Sequence, residues 1–424
     1  MVEYSCPKCS KIFGQKGHLT NHLKRKRPCD PDNINNINKM IEDIVDKKVE
    51  EIIQNLNLNI EPNNNNNNNN KMKAISLFSG MGGDSLGIHN ANIELIAYSE
   101  KEKVFQKTHE LNFPECRLIG NGDILKTKDE EFLKYKNIVN LIFAGFPCQG
   151  FSAAGNKLPE DPRNTLFREF LRATNLIQPD YIIGENVKGL LTRKTTDGIL
   201  FIDIIEKEFG NAGYNIRKKV MKCNLHGIPQ NRHRLIIVGV KKTLNKTFTF
   251  PEEQANNCNI KDIIKFTMKG AVKIEPDDFD MGTIPEECMI TDMENDEKQS
   301  DEKGIKPHPN LIALAKLRDY VYQGVEYPHR VHFGKRIPVG GEIVDIRKPL
   351  NTIICTYARQ PRFFVPQKNK NGYYLRCLTP DELKQIQGFP IDYKIEGDDG
   401  KQIIQIGNAV PPPLIELVIK NLNL

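Results

Sequence analysis

No stretch of about 18 apolar residues occurs in the 424-residue chain, which excludes a membrane-spanning helix of ordinary length. The opening MVEYSCPKCS lacks a charged segment leading into an apolar one, so no secretory peptide is expected and the protein is placed inside the cell. Cysteine is thin for this length. Ten residues, mostly scattered singly, do not make a disulfide framework, so reduced thiols are expected. Charge of one sign is in small excess: a net +6 hints at an anionic partner, yet solubility alone accounts for it. What is present is ordinary for a globular protein, with 39% apolar and 27% charged residues and length for two or three domains.

Residues 1–30 are basic and residues 31–70 asparagine-rich, closing in the homopolymer Asn63 to Asn70. Such polar low-complexity sequence cannot bury enough apolar area to offset its ordering entropy, and it is read as a linker. Inside it, Ile41, Val45, Val49, Ile52 and Leu56 line one face of a helix, so residues 40–58 are a candidate for self-association. A short amphipathic helix packing within its own module fits the same pattern. From Lys71 to about Val240, the runs AISLFSG, ELIAYSE, IVNLIFAGF, YIIGENV and HRLIIVGV read as buried strands alternating with helices. That rhythm specifies the α/β class, a doubly wound and mostly parallel sheet. Residues 241–345 lose the rhythm, with an acidic stretch from Glu275 to Glu302 and then Arg318, Arg330, Lys335 and Arg336; a smaller inserted domain is expected there. The tail, 346–424, returns to strand-like NTIICTY and ends in PPPLIELVIKNL, where proline opens a helix expected to rejoin the first domain.

AISLFSGMGGDSLGI is strand, then Gly80, Gly82 and Gly83 in a tight turn, then helix, the device by which doubly wound folds bring backbone close to a nucleotide. The full dinucleotide spacing is missing, and a glycine turn alone is often only a turn. Two carboxylates sharpen the reading. Glu100 ends the second strand, where it can hold ribose hydroxyls, and Asp123 in NGDIL follows the third, where it can accept from an exocyclic amine. Either alone is commonly a solvated strand-end charge; three aligned strand ends point to one rim.

LIFAGFPCQGFS ends a buried strand on Phe146-Pro147-Cys148-Gln149. Pro147 fixes its own φ and biases its neighbour toward extended conformations, which holds Cys148 on a defined loop where it can attack an electrophile. The usual fate of free cysteine is a small buried hydrophobe, expected of Cys116, Cys223, Cys258, Cys288, Cys355 and Cys377. YIIGENVKGLL brings Glu185 and Asn186 to the same rim, and PQNRHRLIIVGV sets Arg232 and Arg234 two residues apart, on one face if the strand begins there. A salt-bridged strand end would explain the arginines alone; together the residues supply nucleophile, proton donor and paired cations.

The ordered series LFSGMGG, the Glu100 strand end, GDI, GFPCQGFS, ENV, QNRHR, QGFP and QIGNAVPPPL resembles the DNA (cytosine-5)-methyltransferases across residues 73–424. The resemblance implies an S-adenosylmethionine-dependent methyltransferase fold in 71–240, a target-recognition domain in 241–345 and a substrate of duplex DNA. It makes Cys148 the nucleophile, Glu185 the group that protonates the base, and Arg232 with Arg234 the support for the cysteine loop and base. Phe78, Gly80, Gly82, Gly83, Glu100, Asp123, Ile124, Pro147 and Asn408 would surround S-adenosylmethionine. Lys101 departs from the family, which often has an aromatic residue there packing on adenine. The chemistry explains the residue types. Cytosine carbon 5 is too weak a nucleophile until a thiolate adds at carbon 6 and an acid protonates ring nitrogen 3. Nearby arginines would lower the thiol pKa. None of this fits inside a stacked duplex, so the base must be flipped out. RNA cytosine methylation, used by one branch of the family, stays open, although GFPCQ and the sizeable insert lean to DNA. A catalytically inactive DNA-binding regulator is disfavoured by the presence of every reacting residue, and no PPY or PPF loop replaces the cysteine motif as amino-group methylation would require.

CPKCSKIFGQKGHLTNHLKRKRPC places Cys6, Cys9 and His22 at the spacing of a zinc finger, with Phe13 and Leu19 at its small core positions, and resembles that family. The usual second histidine is missing. Cys29 is the best fourth ligand, and a Zn2+ set using His18 and His22 is the alternative. Lys24, Arg25, Lys26 and Arg27 suit phosphate contact, protein binding or a nuclear signal.

Overall fold

Short apolar runs flanked by helices build a sheet covered on both faces, and the chain divides into two compact units, residues 1–69 and 70–424. The computed structural model describes residues 4–6, 12–24, 71–147, 166–195, 197–254, 258–275, 284–295, 307–315, 318–322, 325–329, 331–334 and 340–422. In the first unit, β1 (Tyr4–Ser5) pairs antiparallel with β2 (Ile12–Phe13), and the helix Lys16–Leu23 follows. The linker and the apolar helix face of residues 40–58 lie outside the described residues.

The second unit is organised on a seven-stranded sheet. Its strands are β3 (Lys73–Leu77), β4 (Glu94–Ser99), β5 (Arg117–Leu118), β6 (Leu141–Ala144), β7 (Tyr181–Val187), β8 (Tyr214–Lys222) and, after the short β9 (Gln230–Asn231), β10 (His233–Lys241). They lie in the order β5-β4-β3-β6-β7-β10-β8. The first five pair in parallel, whereas β10 runs antiparallel to both neighbours. The chain leaves β3 to build β4 and β5 on one side, then returns to build β6 and β7 on the other. The order therefore reverses between β3 and β6, and the carboxyl ends of these strands are where open α/β sheets bind ligands. β8 gave no apolar run in the sequence because it is an edge strand whose YNIRKKVMK keeps several cations at least partly in solvent. Ile75, Ile142, Ile182, Leu235 and Phe170 pack on one face of the sheet; Ala74, Phe143, Ile183, Ile236 and Leu414 pack on the other. Leu414 comes from the helix Pro412–Lys420, so the tail returns to the first sheet. That helix lies so close to the helix Gly83–Asn90 that a Cβ on Gly87 would stand 2.7 Å from the Pro412 carbonyl oxygen.

A second sheet uses β11 (Val272–Ile274), β12 (Ile290–Thr291) and strands beyond the isolated hairpin of β13 (Arg318–Tyr322) and β14 (Val325–His329). These are β15 (Val331–Phe333), β16 (Gly341–Ile343), β18 (Phe363–Asn369) and β19 (Gly372–Cys377), while β17 (Leu350–Asn351) pairs with β9 instead. Residues past 346 thus contribute two strands to the second sheet before the chain turns back. Met81, Ile260, Val344, Phe363, Phe389 and Tyr393 share one core that joins the glycine turn to this second layer. Among the described residues no helix is long and apolar enough to cross a membrane.

Candidate active site at the switch point of the sheet

Beyond β3 the backbone enters left-handed conformations at Phe78 (φ 58°), Gly80 (φ 56°) and Gly82 (φ 90°), and Gly82 caps the helix Gly83–Asn90. Glycine is required at Gly82 by torsion and by space, and at Gly83 by space. A Cβ on Gly82 would stand 2.7 Å from the Tyr393 hydroxyl oxygen, and one on Gly83 would stand 2.1 Å from the Val410 carbonyl oxygen. The turn brings the Gly80 N–H within 2.8 Å of Glu100 Oε2, while the Glu102 N–H donates to Oε1 at 2.8 Å. Burial pushes the Glu100 carboxyl up, and the N–H groups of Glu102 and Gly80 pull it back. Each anchored oxygen keeps a second lone pair for a ligand hydroxyl.

Asp123 follows β5. Its Oδ1 accepts the Leu125 N–H at 3.2 Å, and its Oδ2 lies 4.0 Å from Lys101 Nζ and 3.9 Å from Lys126 Nζ. Ile124 is buried beside it. Lys101, the residue that departs from the family, is 68% exposed and turns its ammonium toward Asp123. A glycine turn that exposes backbone, an anchored carboxylate one strand over and a second carboxylate one strand further fit the sugar and base of a nucleoside cofactor.

On the other side of the switch point, β6 runs into Gly145, Phe146 and Pro147. The Gly145 N–H donates to the Leu77 carbonyl at 3.2 Å, and Asn186 Nδ2 donates to the Phe146 carbonyl at 3.1 Å. Asn186 therefore ties the end of β7 to the start of the cysteine loop. Pro147 is half-buried; Cys148 lies outside the described residues. Glu185 and Arg234 form an ion pair, Nε to Oε1 at 2.6 Å.

Arg232 behaves differently from its partner in the sequence motif. The strand begins at His233 and Arg232 stands just before it, although its carbonyl still accepts the Cys223 N–H at 2.9 Å. Arg232 is 1% exposed and donates to the carbonyls of Ile353 (2.8 Å), Ala409 (2.9 Å) and Gly407 (3.2 Å). Burial, with Arg234 adding to it, lowers its pKa to about 9. It holds the tail against the sheet. Asn408 ends the helix Asp399–Asn408 and is exposed, one residue before the carbonyl that Arg232 grips.

Sequence reasoning missed the amides that complete this clasp. Gln230 Nε2 donates to Gln387 Oε1 at 2.6 Å, and Gln387 Nε2 donates to the Ala409 carbonyl at 2.6 Å. Both glutamines sit inside the quoted motif words, but buried polar networks carry no periodic signal. Asp84 was missed as well. An acid in the first turn of a helix ordinarily caps the dipole in solvent, whereas Asp84 is 2% exposed and accepts a short hydrogen bond from the Ser76 hydroxyl. Burial pushes its carboxyl up to about 7.

Cys116, Cys223 and Cys288 are buried as expected, but Cys258, Cys355 and Cys377 are only partly covered. Burial raises the Cys223 thiol to about 11 even though Arg232 and Arg234 pull it down. In the first unit, Cys6 is buried and the His22 ring stands 5.0 Å from the Phe13 ring. Cys9 and Cys29 lie outside the described residues, and among the described residues no group of three or more potential metal ligands forms.

The C-5 cytosine-specific DNA methylase family matches residues 72–423. Type II methyltransferase M.FnuDI of Fusobacterium nucleatum is 30% identical over 358 residues, covering 83% of this chain and 94% of its own. Type II methyltransferase M.NgoPII of Neisseria gonorrhoeae is 33% identical over 342 residues, covering 80% and 92%. In fold, a putative DNA modification methyltransferase encoded within an E. coli prophage aligns with a TM-score of 0.57 at 21% identity, covering 83% of this chain and 99% of that one. A Spodoptera frugiperda DNMT2 variant aligns with a TM-score of 0.55 at 19% identity, covering 84% and 100%.

Proposed function

This chain belongs to the C-5 cytosine-specific DNA methylase family, and on that premise we propose that it takes its target cytosine from duplex DNA, rotated out of the helix, onto Cys148 and Glu185. The enzyme methylates carbon 5 of cytosine in DNA with S-adenosylmethionine. The observation that carries the site assignment is the Glu185–Arg234 ion pair, one residue from the Asn186 amide that ties down the Phe146 carbonyl. It puts a fixed carboxyl beside the loop that leads into Cys148.

When bound, S-adenosylmethionine supplies an electrophilic methyl group on its sulfonium. The chain's own residues do the rest. Glu100 would hold the ribose hydroxyls on its remaining lone pairs, and Asp123 would accept from the exocyclic amine. Phe78, Gly80, Gly82, Gly83, Ile124, Pro147 and Asn408 complete the surround. The Cys148 thiolate adds to carbon 6 while Glu185 gives a proton to ring nitrogen 3, and the pyrimidine becomes an enamine at carbon 5. Arg234 fixes the Glu185 carboxyl through Oε1, which leaves Oε2 for the base. Arg232 acts at one remove, as the tie that keeps the tail in place. Once carbon 5 carries the methyl group, a base takes the carbon 5 proton, the carbon 6–sulfur bond breaks and Cys148 returns to the thiolate. The region 241–345 reads the sequence around the target.

Residues 1–30 are a Zn2+ module held by Cys6, Cys9, His22 and Cys29. Its support is the hairpin of β1 and β2 followed by a helix that carries His22 against Phe13, with Cys6 buried. Residues 40–58 offer an apolar helix face for self-association. The enzyme works wherever the cell or its invader keeps DNA. Bisulfite sequencing of DNA from a host expressing the protein tests the whole reading: protected cytosines at one recurring sequence are expected, and full conversion everywhere would overturn it.

A further inference from the structure

The rim of the sheet next to Glu185 carries charges that the chemistry above does not use. In the antiparallel ladder, His233 stands opposite Lys222, and Arg234 stands opposite Val187. The residue after Val187 is Lys188, where β7 gives way to a 3-10 turn, so Lys188 leaves the ladder beside the start of β10 and its charge reaches the His233 ring. Directly opposed residues in such ladders lie about 5 Å apart, which sets His233 against Lys222. The His233–Lys222 pair occupies one face of the ladder; the Arg234–Glu185 pair occupies the other, and the two share one rim.

All three side chains belong to exposed residues. Burial and then the charges of Lys188, Lys222 and Arg234 push the His233 pKa down, so these cations do act on one ring. Elsewhere on β8 the lysines are neutralised: Lys218 Nζ lies 2.6 Å from Glu206 Oε2, and Lys219 Nζ lies 3.7 Å from Glu253 Oε1. Among the described residues no carboxylate pairs with Lys188 or Lys222. Lysine on an edge strand commonly guards against unwanted strand pairing, and that would account for Lys222. It does not account for Lys188 and His233, which follow or begin interior strands. Clustered like charges repel one another, and an anion relieves that cost.

Resting on the reading that the substrate is DNA, we propose that Lys188, His233 and Lys222 form a ledge for the phosphodiester backbone beside the flipped base. Ammonium groups serve here as point charges for phosphate oxygens. They position the strand and carry no base information, a task left to other parts of the chain.

Counterion release gives the test. Affinity of the full-length enzyme for a fluorescent mixed-sequence duplex is measured by anisotropy across a salt series, with S-adenosylhomocysteine present. Each lost phosphate contact lowers the slope of log affinity against log salt by about 0.9. Lys188→Gln and Lys222→Gln are each expected to lower it by that amount and the double variant by about twice as much, with S-adenosylhomocysteine binding unchanged as the check on folding. Lys218→Gln, which removes a lysine already paired with Glu206, should leave the slope alone. An unchanged slope in the single variants would overturn the ledge, and so would an equal drop in Lys218→Gln. Wild-type enzyme that showed the expected slopes yet transferred no methyl group would sink the activity reading and leave the ledge standing.

Discussion

Arg234 Nε stands 2.6 Å from Glu185 Oε1, with 13% and 11% of the two side chains exposed. The contact is diagonal. Glu185 is opposite Ile236 in the ladder, and Arg234 lies two positions earlier on the same face. A charge-assisted bond between nearly buried groups fixes the carboxylate more firmly than a solvated strand-end pair would.

Glu185→Gln should lower turnover by roughly 10² to 10⁴, the range of general acid catalysis, with S-adenosylhomocysteine affinity kept. Single-turnover kinetics decide it, and a change of only a few-fold would remove Glu185 from proton transfer. Arg234→Ala should act differently. It leaves a buried carboxylate without its cation, a loss of about 3–5 kcal/mol in comparable pairs, so melting temperature and rate should fall together.

Cys148→Ala should abolish methyl transfer while cofactor binding stays near normal, because Glu100 is anchored by the Gly80 and Glu102 N–H groups. Calorimetry with S-adenosylhomocysteine and a transfer assay on the same preparation separate the two. Substantial residual turnover would sink the covalent route.

Asp84 and His109 predict opposing effects of pH on stability. Burial lifts the Asp84 carboxyl to about 7, so its contribution is full below the unfolded value near 4 and is lost as pH rises through 7. Burial pushes His109 down to about 3, so its contribution is present above the unfolded value near 6.5 and is lost as pH falls toward 3. Between about pH 4 and pH 6.5 the two slopes cancel. Asp84→Asn keeps an acceptor for Ser76 and removes one slope. Its melting temperature relative to wild type is expected to climb from about pH 5 to about pH 8. A flat difference would show that another group is linked.

The strands that frame the site were legible because parallel strands buried on both faces read as continuous apolar runs, and their ends fell on Gly80, Glu100, Pro147 and Glu185. Motif order did the rest. What stayed hidden shares one physical cause. Arg232 gave no local sign of the Ile353, Gly407 and Ala409 carbonyls it holds, which lie far along the chain. Gln230, Gln387 and Asp84 are buried polar groups whose partners lie far away in sequence, and no local pattern encodes such partners. β18 and β19 are short and largely buried without alternation, so their sequence could not say which sheet they would join.

The amino-terminal module gives the last prediction. Cys6, Cys9, His22 and Cys29 lie within the first 29 residues, and the asparagine tract separates them from β3 at Lys73. A linker of this polar, low-complexity composition cannot hold a catalytic group to the tolerance that bond making needs, but it can raise the local concentration of DNA around the enzyme. In so small a fold a bound Zn2+ would supply much of the folding free energy, of the order of 10 kcal/mol, so on the proposed ligand set Cys29→Ser should unfold this module and leave the catalytic unit intact. Deleting residues 1–70 should weaken DNA affinity, most visibly at low salt where phosphate contacts count most. Single-turnover methylation at saturating DNA should stay close to that of the full chain. If the shortened enzyme bound DNA equally well at every salt concentration, the tether would be excluded and a protein-binding module would be the better account; if it lost the chemical step, the module would have to reach the active site.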